Sequence, residues 1–464
     1  MESVCRNRAC PCGSGERYKD CCGRLPLDRD GDQGASATGL AGLMQQALAA
    51  QQAMSTRDAD RLYRKALAIA PDEPDALHML GVLRFEQGKS VDAAKLILRA
   101  LDLTDWKHDT FIHNLGLALA HGYRTRADED LNEGSKRIQR FRSDGALPPS
   151  PDQRVAIVVP CYNHERYVTR ALESVFAQSH RNIELVVIDD GSRDATAEIA
   201  RTALAGSPFP CQFVTRANRG AAATINEGIG LSSSPFINIL NSDDWFTSDR
   251  IEVMLATVAR QGAHWGFSDV VMVDGADQTV ADSERAKVLA TIIDSVPERP
   301  TAGFAFACDN AAISSGNIFF SRALYDRIGA FRDLRYNHDW DFCLRALRVA
   351  EPVFAPFKGY GYRLHPANTI ADAVWGGGRK EADEILAQYI RWAMSEQSSE
   401  NPIAPTWHIW RMHFLCSMLG RGFATLFAPD LLRQMTLHID DLSFEESSSR
   451  ISTVGRTHGK GRSH

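Results

Sequence analysis

From Arg154 onward, short runs of apolar, β-branched residues alternate with stretches whose apolar positions recur every three or four residues. The runs predict buried strands at 155–159, 183–188 and 236–240, with a weaker strand at 212–215. The periodic stretches between them predict helices at 168–178, 195–204 and 221–229. That order implies an α/β domain, a mostly parallel sheet with helices on both faces. Such sheets bind ligands beyond the carboxyl ends of their strands. Polar residues gather there: Tyr162 and Asn163 after the first strand, Asp189 and Asp190 after the second, Arg216 and Asn218 after the third, Asp243 and Asp244 after the fourth.

Upstream, the pattern is helical throughout. Ala59, Leu62, Ala66 and Leu67 recur as Ala93, Leu96, Ala100 and Leu101, an offset of 34 residues, and Leu80-Gly81 recurs as Leu115-Gly116 at 35. With Pro71 in the turn, this resembles the tetratricopeptide repeat, and an irregular helical bundle is the alternative. The resemblance implies an all-α region over 41–123 whose stacked repeats dock a protein partner or acceptor. A polar helix at 127–142 and a Pro-rich run at 147–151 form a stiff linker over 124–153.

A chain of 464 residues has room for two to four domains. The formal charge of −6, with no Lys/Arg stripe, excludes nucleic acid as a partner. The most hydrophobic late segment, 407–428, is interrupted by His408, Arg411, His413 and Arg421. It is therefore no membrane span, and at most makes peripheral contact with a bilayer; a helix packed on its own domain is the preferred reading. Charges and cysteines occupy the N-terminus where a secretory signal needs an apolar core, so a cytoplasmic location is expected. Of ten cysteines, five precede residue 23, a pattern of local metal binding rather than of a disulfide framework. Cys10, Cys12, Cys21 and Cys22 can close a tetrahedral thiolate shell around Zn²⁺, with Arg17 and Lys19 favouring the ionised thiols. The string resembles the SEC-C motif, which implies a structural zinc knuckle over 1–24 and a docking surface; Cys5 falls outside it.

Asp243 and Asp244 change the picture most. Adjacent carboxylates at the end of a buried strand repel, and a hard cation such as Mg²⁺ or Mn²⁺ that also binds phosphate would relieve them. A cap on the helix beginning near Asp249 is the plainer alternative. The segments Val155-Ala156-Ile157-Val158-Val159-Pro160-Cys161-Tyr162-Asn163, Leu185-Val186-Val187-Ile188-Asp189-Asp190-Gly191-Ser192 and Asn241-Ser242-Asp243-Asp244 together resemble family 2 glycosyltransferases. The resemblance implies a nucleotide-diphospho-sugar transferase domain over 154–375 that uses a nucleotide-sugar donor with inversion. Pro160, Tyr162, Asp189, Asp190, Asn218, Asp243 and Asp244 would then hold the donor. Tyr162 would stack on the base, Asp190 with Asp189 would meet base or ribose, and Asp243 with Asp244 would meet ribose and the divalent metal. Asn241 stands where the family often has Asp, and Ile225 where it often has a basic residue.

In the second half, a strand near 314–320 precedes a helix at 322–328, and Tyr336-Asn337-His338-Asp339-Trp340-Asp341 follows. The family commonly has Glu where His338 stands, and the resemblance makes Asp339 the general base. An acceptor hydroxyl is a poor nucleophile, so removing its proton as the bond forms accounts for about 10²–10⁴-fold in rate. A helix cap is the structural alternative for Asp339. Asp341 is expected to support Arg345 at an i,i+4 spacing, a pair worth only a few tenths of a kcal/mol when exposed. Arg363 and His365 could approach the diphosphate or metal. Residues 375–378 read as a hinge, 376–445 as a helical C-terminal extension and 446–464 as a disordered tail. The leading expectation is a metal-dependent, inverting glycosyltransferase with a polypeptide acceptor. A glycan or lipid-linked acceptor, and an adaptor with an inactive transferase domain, are the alternatives.

Overall fold

The computed structural model describes residues 37–143, 152–365, 368, 378–395 and 399–440. The cysteine cluster, the Pro-rich run 147–151, residues 375–377 and the tail 446–464 lie outside them. The described residues fall into two compact units, one formed by 131–410 and the other by 37–130 together with 411–440.

In the helical unit, Thr56–Ile69, Pro74–Glu86, Ser90–Leu103 and Asp109–Gly122 pack against one another in chain order. Ala59, Ala66, Ala93 and Ala100 are fully buried where these helices meet, and Gly81 lies flat against Ile97. Helix Pro429–Leu437 packs on two of them, and the Tyr123 hydroxyl donates to the Met435 carbonyl at 2.8 Å. The C-terminal extension is thus divided between the units. The helix Gly378–Ala393 belongs to the α/β unit, and the backbone of Trp407–Gly420 leaves helical geometry at Arg411 (φ 43°), where the division falls.

The α/β unit is built on one eight-stranded sheet: β1 Val155–Cys161, β2 Ile183–Asp189, β3 Cys211–Thr215, β4 Phe236–Ile239, β5 Trp245–Phe246, β6 Trp265–Val273, β7 Ile318–Ser321 and β8 Val353–Arg363. Their order is β3-β2-β1-β4-β7-β6-β8-β5. The half containing β1 to β4 is parallel, as the alternation of strands and helices requires. The other half departs from a mostly parallel sheet. There β7 runs antiparallel to both β4 and β6, and β5 antiparallel to β8, while β6 and β8 are parallel. The sheet as a whole is therefore mixed.

Both faces are covered, which is why β1 can be hydrophobic at every position from Val155 to Val159. Val155, Ile157 and Val159 pack with Val168, Ala171, Leu172 and Val175 of helix Val168–Phe176 on one face. On the other, helix Ala221–Gly230 brings Gly228 against Val158 and Ile188. The register pairs Cys161 with Asp189 and Asp189 with Thr215, so β1, β2 and β3 end level. Gly266 sits opposite Val353 in the β6–β8 pair, and a Cβ there would lie 2.5 Å from the Val353 carbonyl oxygen. Because that obstacle is backbone, Gly266→Ala is expected to destabilise the protein by about 1–3 kcal/mol in urea unfolding followed by tryptophan fluorescence. An unchanged midpoint would contradict the packing described.

Candidate active site

The level ends of the parallel strands open into one cleft of about 1120 Å³. Its wall includes Pro160, Tyr162, His164, Asp190, Asn218, Asp243, Asp244, His338 and Asp339. The fold thus brings Asp339 to the same cavity as the strand-end acids although nearly a hundred residues separate them in sequence.

The β1 and β2 loops are interlocked. Asn163 adopts a left-handed backbone (φ 54°), accepts from the Arg193 amide at 2.8 Å and donates its own N–H to Ser192 Oγ at 3.0 Å. Gly191 (φ +74°) runs so close to the β3 loop that a Cβ would lie 2.8 Å from the Asn218 nitrogen. Asp190 binds that loop directly, accepting from the Arg216 guanidinium and the Arg219 amide on one oxygen and from the Gly220 amide at 2.9 Å on the other. A carboxylate has about four acceptor positions, so Asp190 retains capacity for a ligand. Tyr162 is 40% exposed and lines the cleft wall. Asp189 is placed differently from the expectation. It is buried behind the cleft, where its Oδ2 accepts from the Ser192 amide and the Thr215 hydroxyl, both at 3.2 Å.

The two acids after β4 divide their duties. Asp244 accepts from the Tyr360 hydroxyl on Oδ2 and from the Arg363 amide on Oδ1 at 2.8 Å. Burial, and then the neighbouring charge of Asp243, push its carboxyl well above the usual carboxylate range despite those donors. Asp244, expected as a second metal ligand, joins β4 to β8 through these contacts and lies outside the group formed by His164, Asp243 and His365. Asp243 faces two imidazoles: His365 Nε2 at 3.0 Å and His164 Nε2 at 3.7 Å from its Oδ2. Burial opposes its ionisation, yet His164 and His365 outweigh it and hold the carboxyl below its ordinary value. Neither acid caps a helix, since the residue preceding helix Arg250–Gln261 is Asp249.

Donor atoms from His164, Asp243 and His365 lie within 4.8 Å of one another. His164 is oriented by a 2.8 Å contact between Nδ1 and Ser242 Oγ, which leaves Nε2 for the cluster. Two imidazole nitrogens and one carboxylate oxygen suit a transition-series ion such as Mn²⁺ better than Mg²⁺, which prefers an all-oxygen shell. The residues therefore fit a divalent cation. His164 had no sequence signal linking it to His365; only the return of β8 to the end of β4 joins them. Arg363, an expected diphosphate contact, is instead fully buried. It donates to the Asp243 carbonyl at 2.7 Å, the Asp274 carbonyl at 2.7 Å and the Asp277 carboxylate.

Asp339 lies in the first turn of helix His338–Ala346, one of whose flanking residues, Asn337, holds the capping position instead. Its Oδ1 accepts from the Trp340 amide at 2.7 Å. Burial raises its pKa, against the opposing pull of His338, the Trp340 amide and the Asn310 amide. Asp341 and Arg345 do pair, at 2.8 Å, but both are buried. Arg345 also donates to the carbonyls of Ile328, Gly329 and Ala330, fixing the turn before the site.

A residue missed in the sequence secures the segment leading to Asp339. The Glu381 carboxylate accepts from the backbone amides of Arg335, Tyr336 and Asn337 at 2.8, 2.9 and 2.9 Å. Three successive amides converging on one anion are a charge-assisted anchor. Glu381→Ala is expected to cost about 2 kcal/mol in urea unfolding and to expose 333–337 to limited proteolysis. Unaltered stability and protease resistance would contradict the anchor.

Comparison with known proteins places this geometry. Residues 156–329 match glycosyl transferase family 2, and residues 6–24 match the SEC-C motif. The chain is 38% identical over 225 residues to the putative glycosyltransferase EpsH of Bacillus subtilis, covering 47% of this chain and 62% of that one. It is 31% identical over 112 residues to glycosyltransferase GlyA of Streptococcus pneumoniae, covering 24% of this chain and 16% of that one. It thus spans less than two thirds of the length of either relative. Among solved structures, mannosyltransferase PcManGT from Pyrobaculum calidifontis, in complex with GDP-Man and Mn²⁺, gives a TM-score of 0.44 at 16% identity, covering 74% of this chain and 91% of that one. That overlay is too loose to carry an argument about ligands. The segment that carries Asp189, Asp190, Asp243 and Asp244 is thus similar to glycosyl transferase family 2, and the N-terminal cysteines Cys10, Cys12, Cys21 and Cys22 fall within a match to the SEC-C motif.

Proposed function

We propose that the α/β unit transfers a sugar from a nucleoside-diphosphate sugar to an acceptor hydroxyl, with inversion and with a divalent cation. One observation carries this reading: Tyr162, Asp243 and Asp339 line a single cleft. Stacking on Tyr162 holds the base, and the remaining capacity of Asp190, with Asn218, orients the nucleoside. Asp243, His365 and His164 hold the cation near the diphosphate, and Mn²⁺ is the preferred ion. When bound, the cation offsets the negative charge that builds on the departing nucleoside diphosphate.

Asp339 accepts the acceptor's proton as its oxygen attacks the anomeric carbon. Its burial keeps water from competing for that proton and makes the carboxylate a stronger base than an exposed one. A lone carboxylate acting on the acceptor gives one displacement, hence inversion. The helices between 56 and 122 are read as tetratricopeptide repeats that dock a protein partner or carrier, and the four N-terminal cysteines as a structural zinc site.

Asp339→Asn tests the assignment. Turnover of the full chain with Mn²⁺ and a panel of nucleotide sugars should fall about 10²–10⁴-fold, with nucleoside-diphosphate binding retained. The base works only when ionised, and its pKa is raised. Activity of the wild type should therefore fall as pH drops through a value above the ordinary aspartate figure of about 4, and that acid limb should vanish in the variant. Undiminished turnover in Asp339→Asn would overturn the role given to Asp339.

A further inference from the structure

His164 owes its orientation to the Ser242 hydroxyl, but His365 is held by other means. Its backbone N–H donates to Asn368 Oδ1 at 2.6 Å, and Asn368 Nδ2 returns to the Arg363 carbonyl at 3.0 Å, which fixes the main chain of 363–365. The contact of its Nε2 with Asp243 leaves the ring free to turn about that axis. Among the described residues its Nδ1 meets no acceptor. What lies against the imidazole is the ring of Tyr167, 5.2 Å away between centroids and tilted by 37°.

Tyr167 stands just before helix Val168–Phe176, in a turn whose N–H donates to the His164 carbonyl at 2.9 Å. That turn brings its ring to the His164 imidazole as well, edge-on at 6.3 Å. The Arg363 guanidinium lies over the Tyr167 ring, 4.7 Å from its centroid, where a buried cation gains from a π face. One ring therefore meets both the last residue of β8 and the imidazole two residues beyond it. Three residues farther on, Arg170 pairs at 3.7 Å with the Asp277 carboxylate that also accepts from Arg363. The Tyr167 hydroxyl makes no hydrogen bond among the described residues; it lies near Gly275, where a Cβ would come within 3.3 Å of it.

We infer that Tyr167 is a positioning residue for His365: the face of its ring, and not its hydroxyl, sets the imidazole at the angle from which Nε2 meets a cation shared with Asp243. The inference rests on the cation site of the proposed function. The two imidazoles are then held by independent devices, a hydrogen bond with Ser242 for His164 and a packed ring for His365. Each can be lost without the other. Partners that orient a ligand from outside the ligand set change metal affinity by about 10–100-fold.

The test titrates the full chain with Mn²⁺, alone and with uridine or guanosine diphosphate, and reads free Mn²⁺ by electron paramagnetic resonance. Tyr167→Phe keeps the ring and should bind as the wild type does. Tyr167→Leu should bind about 10-fold more weakly. Combined with His365→Ala it should add nothing to the loss that His365→Ala causes alone, whereas combined with His164→Ala it should still weaken binding by its full factor. Tyr167→Met, whose flexible side chain fills irregular space, takes the place of the leucine variant if circular dichroism shows that one unfolded. Wild-type affinity in Tyr167→Leu overturns the inference, as does weakened binding in Tyr167→Phe. An equal further loss in both double variants also overturns it, because a general loosening of the loop acts on both imidazoles alike. The cation site itself is tested separately by the parent and His365→Ala chains. If the wild type binds no Mn²⁺ in either condition, or His365→Ala binds it unchanged, that site falls and the inference with it; if both behave as expected and the Tyr167 variants do not, only the role of Tyr167 is wrong.

Discussion

Two adjacent carboxylates buried at the end of β4 are the constraint on which the site depends. Both cannot remain charged in a low-dielectric interior without donors, and each oxygen left unpaired carries a desolvation penalty. The chain resolves this by bringing the end of β8 back to β4. The Arg363 amide and the Tyr360 hydroxyl satisfy Asp244. Once that register is fixed, His365, two residues beyond Arg363, falls beside Asp243. The Asp244 contacts and the cluster of His164, Asp243 and His365 are consequences of one strand placement.

Other buried polar contacts hold that placement. Arg250 is fully buried beneath the site, donating to Asn238 Oδ1 at 3.1 Å, Ser268 Oγ at 2.7 Å and the Asn317 carbonyl at 3.1 Å. It thereby links β4, β6 and the turn into β7, and its guanidinium stacks over Tyr360 at 5.4 Å. Burial pushes its pKa down to about 9. Glu381 and Arg345 perform the same service for the segment that carries Asp339, one gripping backbone amides and the other backbone carbonyls. Rigid anchoring from outside the cleft lets the reacting groups themselves keep unfilled hydrogen-bonding capacity.

The parallel half of the sheet was legible because β1, β2 and β4 are uninterrupted apolar runs, and because each ends in polar residues. The antiparallel half was not. β8 contains Pro356, Lys358 and two glycines, and β6 contains Ser268 and Asp269, so neither shows a strand's pattern. Their polar residues are absorbed by tertiary contacts that no local window reveals: Ser268 by Arg250 and Asn317, Asp269 by its own backbone neighbourhood. The same limit applies to the site. Tyr162, Asp190, Asp243 and Asp339 announced themselves through short motifs, whereas His164, Tyr360 and Glu381 matter only because distant segments meet. The motif Asn241-Ser242-Asp243-Asp244 suggested acids that meet ribose and metal together; hydrogen bonding from β8 gives the two different surroundings.

In the proposed reaction, Asp243 with two imidazoles, rather than a pair of aspartates, holds the cation. Electron spin echo envelope modulation of Mn²⁺ bound to the full chain with a nucleoside diphosphate measures it directly. Nitrogen modulation from two imidazoles together with phosphorus coupling is expected, with one imidazole lost in His164→Ala and one in His365→Ala. Phosphorus coupling without nitrogen modulation would contradict it.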